Sequence, residues 1–443
     1  METVLILQII VFAILGSLIY IIIGIIPGTD ETSVLAPAAL LLFAFHLHPL
    51  VILSFFISAM VSLNLTDSIP TALTSIPGGV MSTPLVESAK FLKDRGLVTK
   101  SIRKMTAGSV YGTFAGLAGG LIVVGLVSLI TYLAEFDLAA FVKLYSSYIF
   151  LGGAILLSLL SKKKFISLAM ILPFGLVIIA ARLLVPTMSG TPYFLAITCG
   201  PLLFQLASML FAKARKDASV VGHKEITIEK DEKFGFKELK ETMGGKELVP
   251  TLTSSFLSSF LFFLSPVGVT MLAGEMSAQN IKDPEQKALT SVTAMNGIKN
   301  STYLAGIIVS LFAFAMPISP AAAGPGGPLF SPEYNFLAQL EFGPAIGVII
   351  FSLVVALLIT SFLAFKYASK ITSVVFKYIP QEAVISLLIG LAFLLVFLDA
   401  GFKGVLVISI VALIAGFFNK LGVSYGVLFM SFYAAGFWQA LIL

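Results

Sequence analysis

Two charged residues sit inside stretches of sequence that are otherwise apolar. Asp67 lies in "LTDSIPTALTSIPGG" (65–79) and Lys299 in "NGIKNST" (296–302). Charge within a membrane span is expensive and usually functional. Asp67 has the right sign for Na⁺ or H⁺, and Lys299 the right sign for an anionic substrate. The competing reading is an ion pair that locks two helices. Around Asp67 stand five hydroxyl residues, Thr66, Ser68, Thr71, Thr74 and Ser75, with Pro70, Pro77, Gly78 and Gly79. Each proline removes a backbone donor, and each glycine opens conformations closed to other residues. Broken backbone survives at membrane depth only where protein buries it or water reaches it. Residues 65–79 are therefore expected to form a re-entrant hairpin or an unwound helix. Freed N–H groups and hydroxyls there suit a carboxylate, and freed carbonyls suit a cation. For any single hydroxyl the plainer alternative is a bond back to its own helix.

The residues read as binding substrate are Ser68, Thr71, Thr74, Ser75, Gly78, Gly79, Asn296, Lys299, Asn300 and Ser301. Those read as handling a coupling ion are Asp67 and, from "PGTDETS" (27–33), Thr29, Asp30 and Glu31. For that last group the plain alternative is a helix end meeting water. Other chemistries are excluded. His46 and His48 have no third His or Cys beside them, and Cys199 is the single cysteine, so neither a metal site nor a disulfide is expected. "GTFAG" (112–116) and "GLAGG" (116–120) are small-residue faces that let helices approach closely. They are not phosphate loops, because no Lys-Ser/Thr follows. No HExxH motif or nucleophile–base set is present, so the chain is not read as an enzyme. No cofactor is expected, and Na⁺ is left open as the coupling ion beside H⁺.

These residues must be positioned by membrane helices. Of 443 residues, 58% are hydrophobic and 12% charged, and the mean hydropathy is +1.02. The natural solvent of such a chain is lipid. The apolar runs are continuous rather than alternating, which excludes a β-barrel. The N-terminus has no basic region and no cleavage site, and is read as a retained first helix. The net charge of +5 belongs to cytoplasmic loops and implies no nucleic-acid partner. Apolar segments at 4–25, 106–134, 138–160, 165–185, 194–212, 249–273, 289–315, 343–365, 383–398, 405–418 and 423–443, with two shorter helices between 34 and 64 broken at "HLHP", give the expected fold. It is an all-α polytopic membrane protein of about 12 transmembrane segments, with re-entrant or broken helices.

Residues 213–247 hold nine Lys/Arg and eight Asp/Glu and read as a cytoplasmic linker between membrane halves at 1–212 and 248–443. Basic residues between 87 and 104, at 162–164 and at Lys366 and Lys370 mark the inside, and Glu333 and Glu341 the outside. Both termini are then outside. An internal echo runs through the chain: "GIIPG" (24–28) and "SIPGG" (75–79) in the first half, "SPVG" (265–268) and "GPGG" (324–327) in the second. The stretch after the first double glycine is basic and that after the second acidic, the pattern of an inverted-topology repeat. On this reading the substrate is cradled between breaks near 27–33, 67–79, 265–270 and 296–302.

These residues resemble the large membrane subunit of tripartite tricarboxylate transporters, the TctA-like family. Gly24, Pro27 and Gly28 match its first-helix Gly-x-x-Pro-Gly, and Ser68, Ile69, Ile76, Pro77 and Gly78 match its second motif at the right spacing. Pro266 and Asn296 suggest the pattern in the second half. The chain departs from the family at Thr66-Asp67, Pro70, Ser75, Asp30, Glu31 and Lys299. The resemblance implies a secondary active transporter of small organic anions, di- or tricarboxylates, coupled to Na⁺ or H⁺. It also implies a plasma-membrane location, with a small membrane subunit and an extracytoplasmic binding protein as partners. A homodimer is left open. The rival reading is a translocase for a polyprenyl phosphate or other anionic lipid.

Overall fold

The computed structural model of the chain describes residues 2–26, 31–75, 77–134, 136–161, 163–188, 190–208, 242, 245–378 and 381–442. Thr29 and Asp30, Ile76 and most of the 213–247 linker lie outside the described residues. No strand occurs among the described residues. The first half comprises α1 (Glu2–Ile25), α2 (Glu31–Ala44), α3 (Pro49–Thr66), α4 (Ser68–Thr74), α5 (Val86–Lys93), α6 (Val98–Ala134), α7 (Leu138–Leu144), α8 (Ser146–Leu159), α9 (Lys164–Leu184) and α10 (Thr191–Ser208). The second comprises α11 (Gly245–Ser259), α12 (Pro266–Ala278), α13 (Pro284–Val309), α14 (Phe342–Tyr378), α15 (Gln381–Leu421), α16 (Tyr425–Tyr433) and α17 (Ala435–Ile442), with a one-turn helix at Pro320–Ala323.

Among the described residues seven helices are long and apolar enough to cross a membrane, or nine if the bent pairs α7–α8 and α16–α17 each count as one. Other segments expected to span are divided. The apolar run 249–273 is split into α11 and α12, because Pro266 cannot continue a helix but suits the first position of a new one, capped by Ser265 Oγ accepting from the Gly268 N–H. The runs 383–398 and 405–418 are joined in α15, kinked at Gly401, whose φ of 61° only glycine adopts easily. A further correction concerns 296–302. It is not a break: α13 is helical throughout, and the backbone instead turns at Ala315, with φ 54°, beyond a short π-helical turn at Ser310–Phe314. The polar side chains of that stretch are accommodated by neighbouring helices, so the backbone has no reason to unwind.

Burial is uneven. In the spans Pro49–Thr74 and Pro284–Phe314, 89% and 83% of the most apolar stretch is buried, against 33% in Thr3–Ile25. Protein surrounds α3 and α13 on nearly all sides, which is where polar and charged side chains are tolerated. One apolar core joins α1–α6 with α13 and α14; a second joins α8–α10 with α15–α17.

Small residues set helix directions. On α6, Gly108, Gly112, Gly116 and Gly120 face Thr293, Gly297, Ser301 and Ala305 of α13, advancing in step by one turn. The two helices are therefore parallel and touch backbone to backbone. α11 joins them in the same direction: Gly297 abuts Thr251, and Ser301 Oγ donates to the Ser255 carbonyl. A second parallel trio is α1, α3 and α14. Gly16 and Gly24 abut Ser58 and Thr66, and Ser352 and Thr360 bond Ser54 and Ser62, each at 2.9 Å. The trios run in opposite directions. Arg103, near the start of α6, lies 5.7 Å over Phe365, while Phe312, just past α13, meets Phe342 at the start of α14.

At the basic end of α6, Lys104 pairs with Glu247 of α11 at 3.0 Å, and Gln286 Nε2 donates to the same carboxylate oxygen at 2.7 Å. Nearby, Lys100 pairs with Glu285 at 3.1 Å, with both side chains more than 40% exposed. The shielded pair is worth more than the exposed one. Glu247→Ala is expected to destabilise by about 1.5–3 kcal/mol, because it strands the Lys104 ammonium. Glu285→Ala is expected to change stability by about 1 kcal/mol or less. Chemical denaturation of the two variants checks the ranking.

Candidate functional site

Asp67 follows α3 directly and precedes α4, at a slight kink in an almost continuous helix. Its backbone carbonyl accepts from Thr71 Oγ1 at 3.3 Å, and the same hydroxyl accepts from the Gly78 N–H. A Cβ on Gly78 would fall on the Asp67 carbonyl, so only glycine lets the 75–79 turn fold back this far. Ser75 begins that turn at φ 62°, and the Gly79 N–H donates to Ser82 Oγ. On the other side, a Cβ on Gly24 would fall on Thr66 Oγ1, which seats the end of α1 against the residue before Asp67. Gly24 and Gly78 thus pack against the backbone turn at Thr66 and Asp67 from two sides.

Lys299 reaches that carboxylate. Its Nζ donates to Asp67 Oδ1, and both side chains are fully buried. Asn296 and Asn300 lie one turn apart on α13, and both donate to Ser109 Oγ of α6 at 2.9 Å; Asn296 also donates to the Met105 carbonyl. Ser68 and Thr74 bond back to Leu65 and Pro70 of their own helix. The structure therefore brings Asp67, Lys299, Thr71 and Gly78 together. It directs Asn296 and Asn300 toward α6 and Ser301 toward α11.

A cavity of about 80 Å³ lies apart from the pair, between the two apolar cores. Glu31 is the one candidate residue that lines it. Thr32, Val80, Ser265, Tyr303 and Ser424 are others on its wall. Its distinguishing feature is which parts of helices reach it. Pro266, Pro320 and Tyr425 are the first residues of α12, the Pro320–Ala323 turn and α16, Glu31 is the first described residue of α2, and all four line this one space. Tyr303 is one turn beyond Lys299 on α13. Gly324, in the second-half glycine turn, packs on Thr32. Sequence reasoning found the Ser265-Pro266 break but missed Ser424 and Tyr303. The serine before α16 caps it by accepting from the Val427 N–H, a signature readable in "VSYG"; nothing local marks Tyr303.

Comparison with known proteins gives a match to the tripartite tricarboxylate transporter TctA family over residues 10–429. The chain belongs to that family. Neither a curated protein nor a solved structure matches it. The match covers nearly all of the chain, so both helix trios and both ends of the ion pair fall within the TctA-family region. It identifies a component of a tripartite transport system and a multi-pass membrane protein. It gives the lipid-translocase reading no support.

Proposed function

We propose that this TctA-family chain is the large membrane subunit of a plasma-membrane secondary transporter for small organic anions of the di- or tricarboxylate class, coupled to Na⁺ or H⁺. The observation that carries this reading is the meeting of the starts of α12 and α16 on one cavity between two cores, with Glu31 and the Pro320–Ala323 turn beside them. A helix N-terminus bears partial positive charge, which favours an anion. Broken helices aimed at a shared site are the usual device of secondary transporters. A small membrane subunit and an extracytoplasmic binding protein complete the proposed assembly. Inverted repeats fit the two helix trios: α1, α3 and α14 would correspond to α11, α13 and α6, with the two 37-residue helices α6 and α14 exchanged between halves.

The test is thermal melting of the purified protein with choline citrate or choline succinate. A ligand that binds only the folded state raises the melting temperature. A concentration-dependent rise is expected. Val267, on the cavity wall, offers a specific check: Val267→Trp fills the space and is expected to weaken the anion effect about tenfold or more. No rise with either anion would remove the carboxylate reading.

A further inference from the structure

The Asp67–Lys299 pair leaves one carboxylate oxygen unused, and side-chain amide oxygens on the same two helices are unused as well. Asp67 Oδ2, Asn64 Oδ1, Asn296 Oδ1 and Asn300 Oδ1 are buried and have no hydrogen-bond partner among the described residues. Asn64 is one turn before Asp67 on the same helix face, and Asn296 and Asn300 flank Lys299 on α13. Carboxylate and side-chain amide oxygens are donor types from which hard-cation sites are built. The cation at this carboxylate is the Lys299 ammonium. Asp67 is the only charged residue between 49 and 86, and Lys299 the only one between 288 and 312. Of the carboxylates on neighbouring helices, Glu247 of α11 pairs with Lys104, and Glu2, Glu31, Glu87 and Glu275 belong to α1, α2, α5 and α12. No second carboxylate in these stretches would balance a further cation beside Lys299.

We propose that Lys299 is a tethered cation. Its ammonium takes at Asp67 the place a free Na⁺ or K⁺ would occupy, so anion binding by this chain requires no free metal cation. This rests on the organic-anion reading above and narrows its coupling ion. A free cation leaves with the substrate, whereas a tethered one stays. The gradient that drives transport is then not one of Na⁺.

The experiment melts the wild-type protein and Lys299→Ala in choline chloride, NaCl and methylammonium chloride at matched ionic strength, each with and without choline citrate. Wild type is expected to melt at one temperature in all three salts. Lys299→Ala is expected to melt lower in choline chloride and to regain about 3 °C or more in NaCl or methylammonium chloride, which refill the vacated position. Stabilisation of wild type by NaCl over choline, or a citrate effect that needs Na⁺, would overturn the proposal. So would a Lys299→Ala protein indifferent to every cation, because a pair that merely clasps two helices gives that result. Should Lys299→Ala not survive purification, Lys299→Gln enters the same arms. If citrate changes nothing in any salt, the carboxylate reading fails, while the cation arms still decide the assignment of Lys299.

Discussion

Lys299→Met is expected to lower the unfolding free energy by about 3–5 kcal/mol, and adding Asp67→Asn is expected to recover most of that loss. The single variant leaves the Asp67 carboxylate buried without its counter-charge. Asp67 Oδ2 has no hydrogen-bond partner among the described residues, so little is at hand to compensate the stranded charge. The double variant removes both charges and keeps two side chains of similar volume, so the desolvation penalty disappears with the attraction. Denaturation of the wild type, both single variants and the double variant forms a cycle whose coupling term measures the pair. Two single losses that simply add would show that the residues do not depend on one another, and the geometry at the α3–α4 kink would then need another explanation.

Much of this site is legible in the sequence, because charge within apolar sequence and prolines beside glycines each have a local physical meaning. Asp67 and Lys299 stand out by themselves, 232 positions apart, but that they meet depends on how α3 and α13 pack. The polar run 296–302 reads as a break and is not one. A cluster of Asn, Lys and Ser resembles an unwound segment, yet the amide donors of Asn296 and Asn300 tie it to Ser109 across a helix interface. Hydroxyls near Asp67 show the opposite lesson: Ser68 and Thr74 bond to their own helix backbone, the plainer of the two readings. The cavity is the least legible part. Its helix starts are individually visible as Ser-Pro or Ser-Tyr-Gly, but their convergence belongs to the tertiary fold.

Gly112→Val is expected to destabilise the protein by about 3 kcal/mol or more, at or beyond the upper end of ordinary overpacking. A Cβ at Gly112 would fall on the backbone of Gly297, and one at Gly297 would meet the Gly108 carbonyl and Ser255 Oγ. The Gly297 and Gly108 backbones cannot yield as a flexible side-chain end would, so the new atoms force α6 and α13 apart. The separation would also propagate to the site, because Lys299 is two residues beyond Gly297 on the displaced helix. Gly125 provides the control on the same helix. Nothing lies within 4 Å of a Cβ there, so Gly125→Ala is expected to be neutral or to stabilise by up to about 1 kcal/mol through helix propensity. Yield of monodisperse protein and melting temperature, compared between the two variants, test the contact. A Gly112→Val protein as stable as Gly125→Ala would mean that α6 and α13 do not touch along their glycine face. The parallel trio α6, α11 and α13, which sets Lys299 opposite Asp67, would then have to be rebuilt.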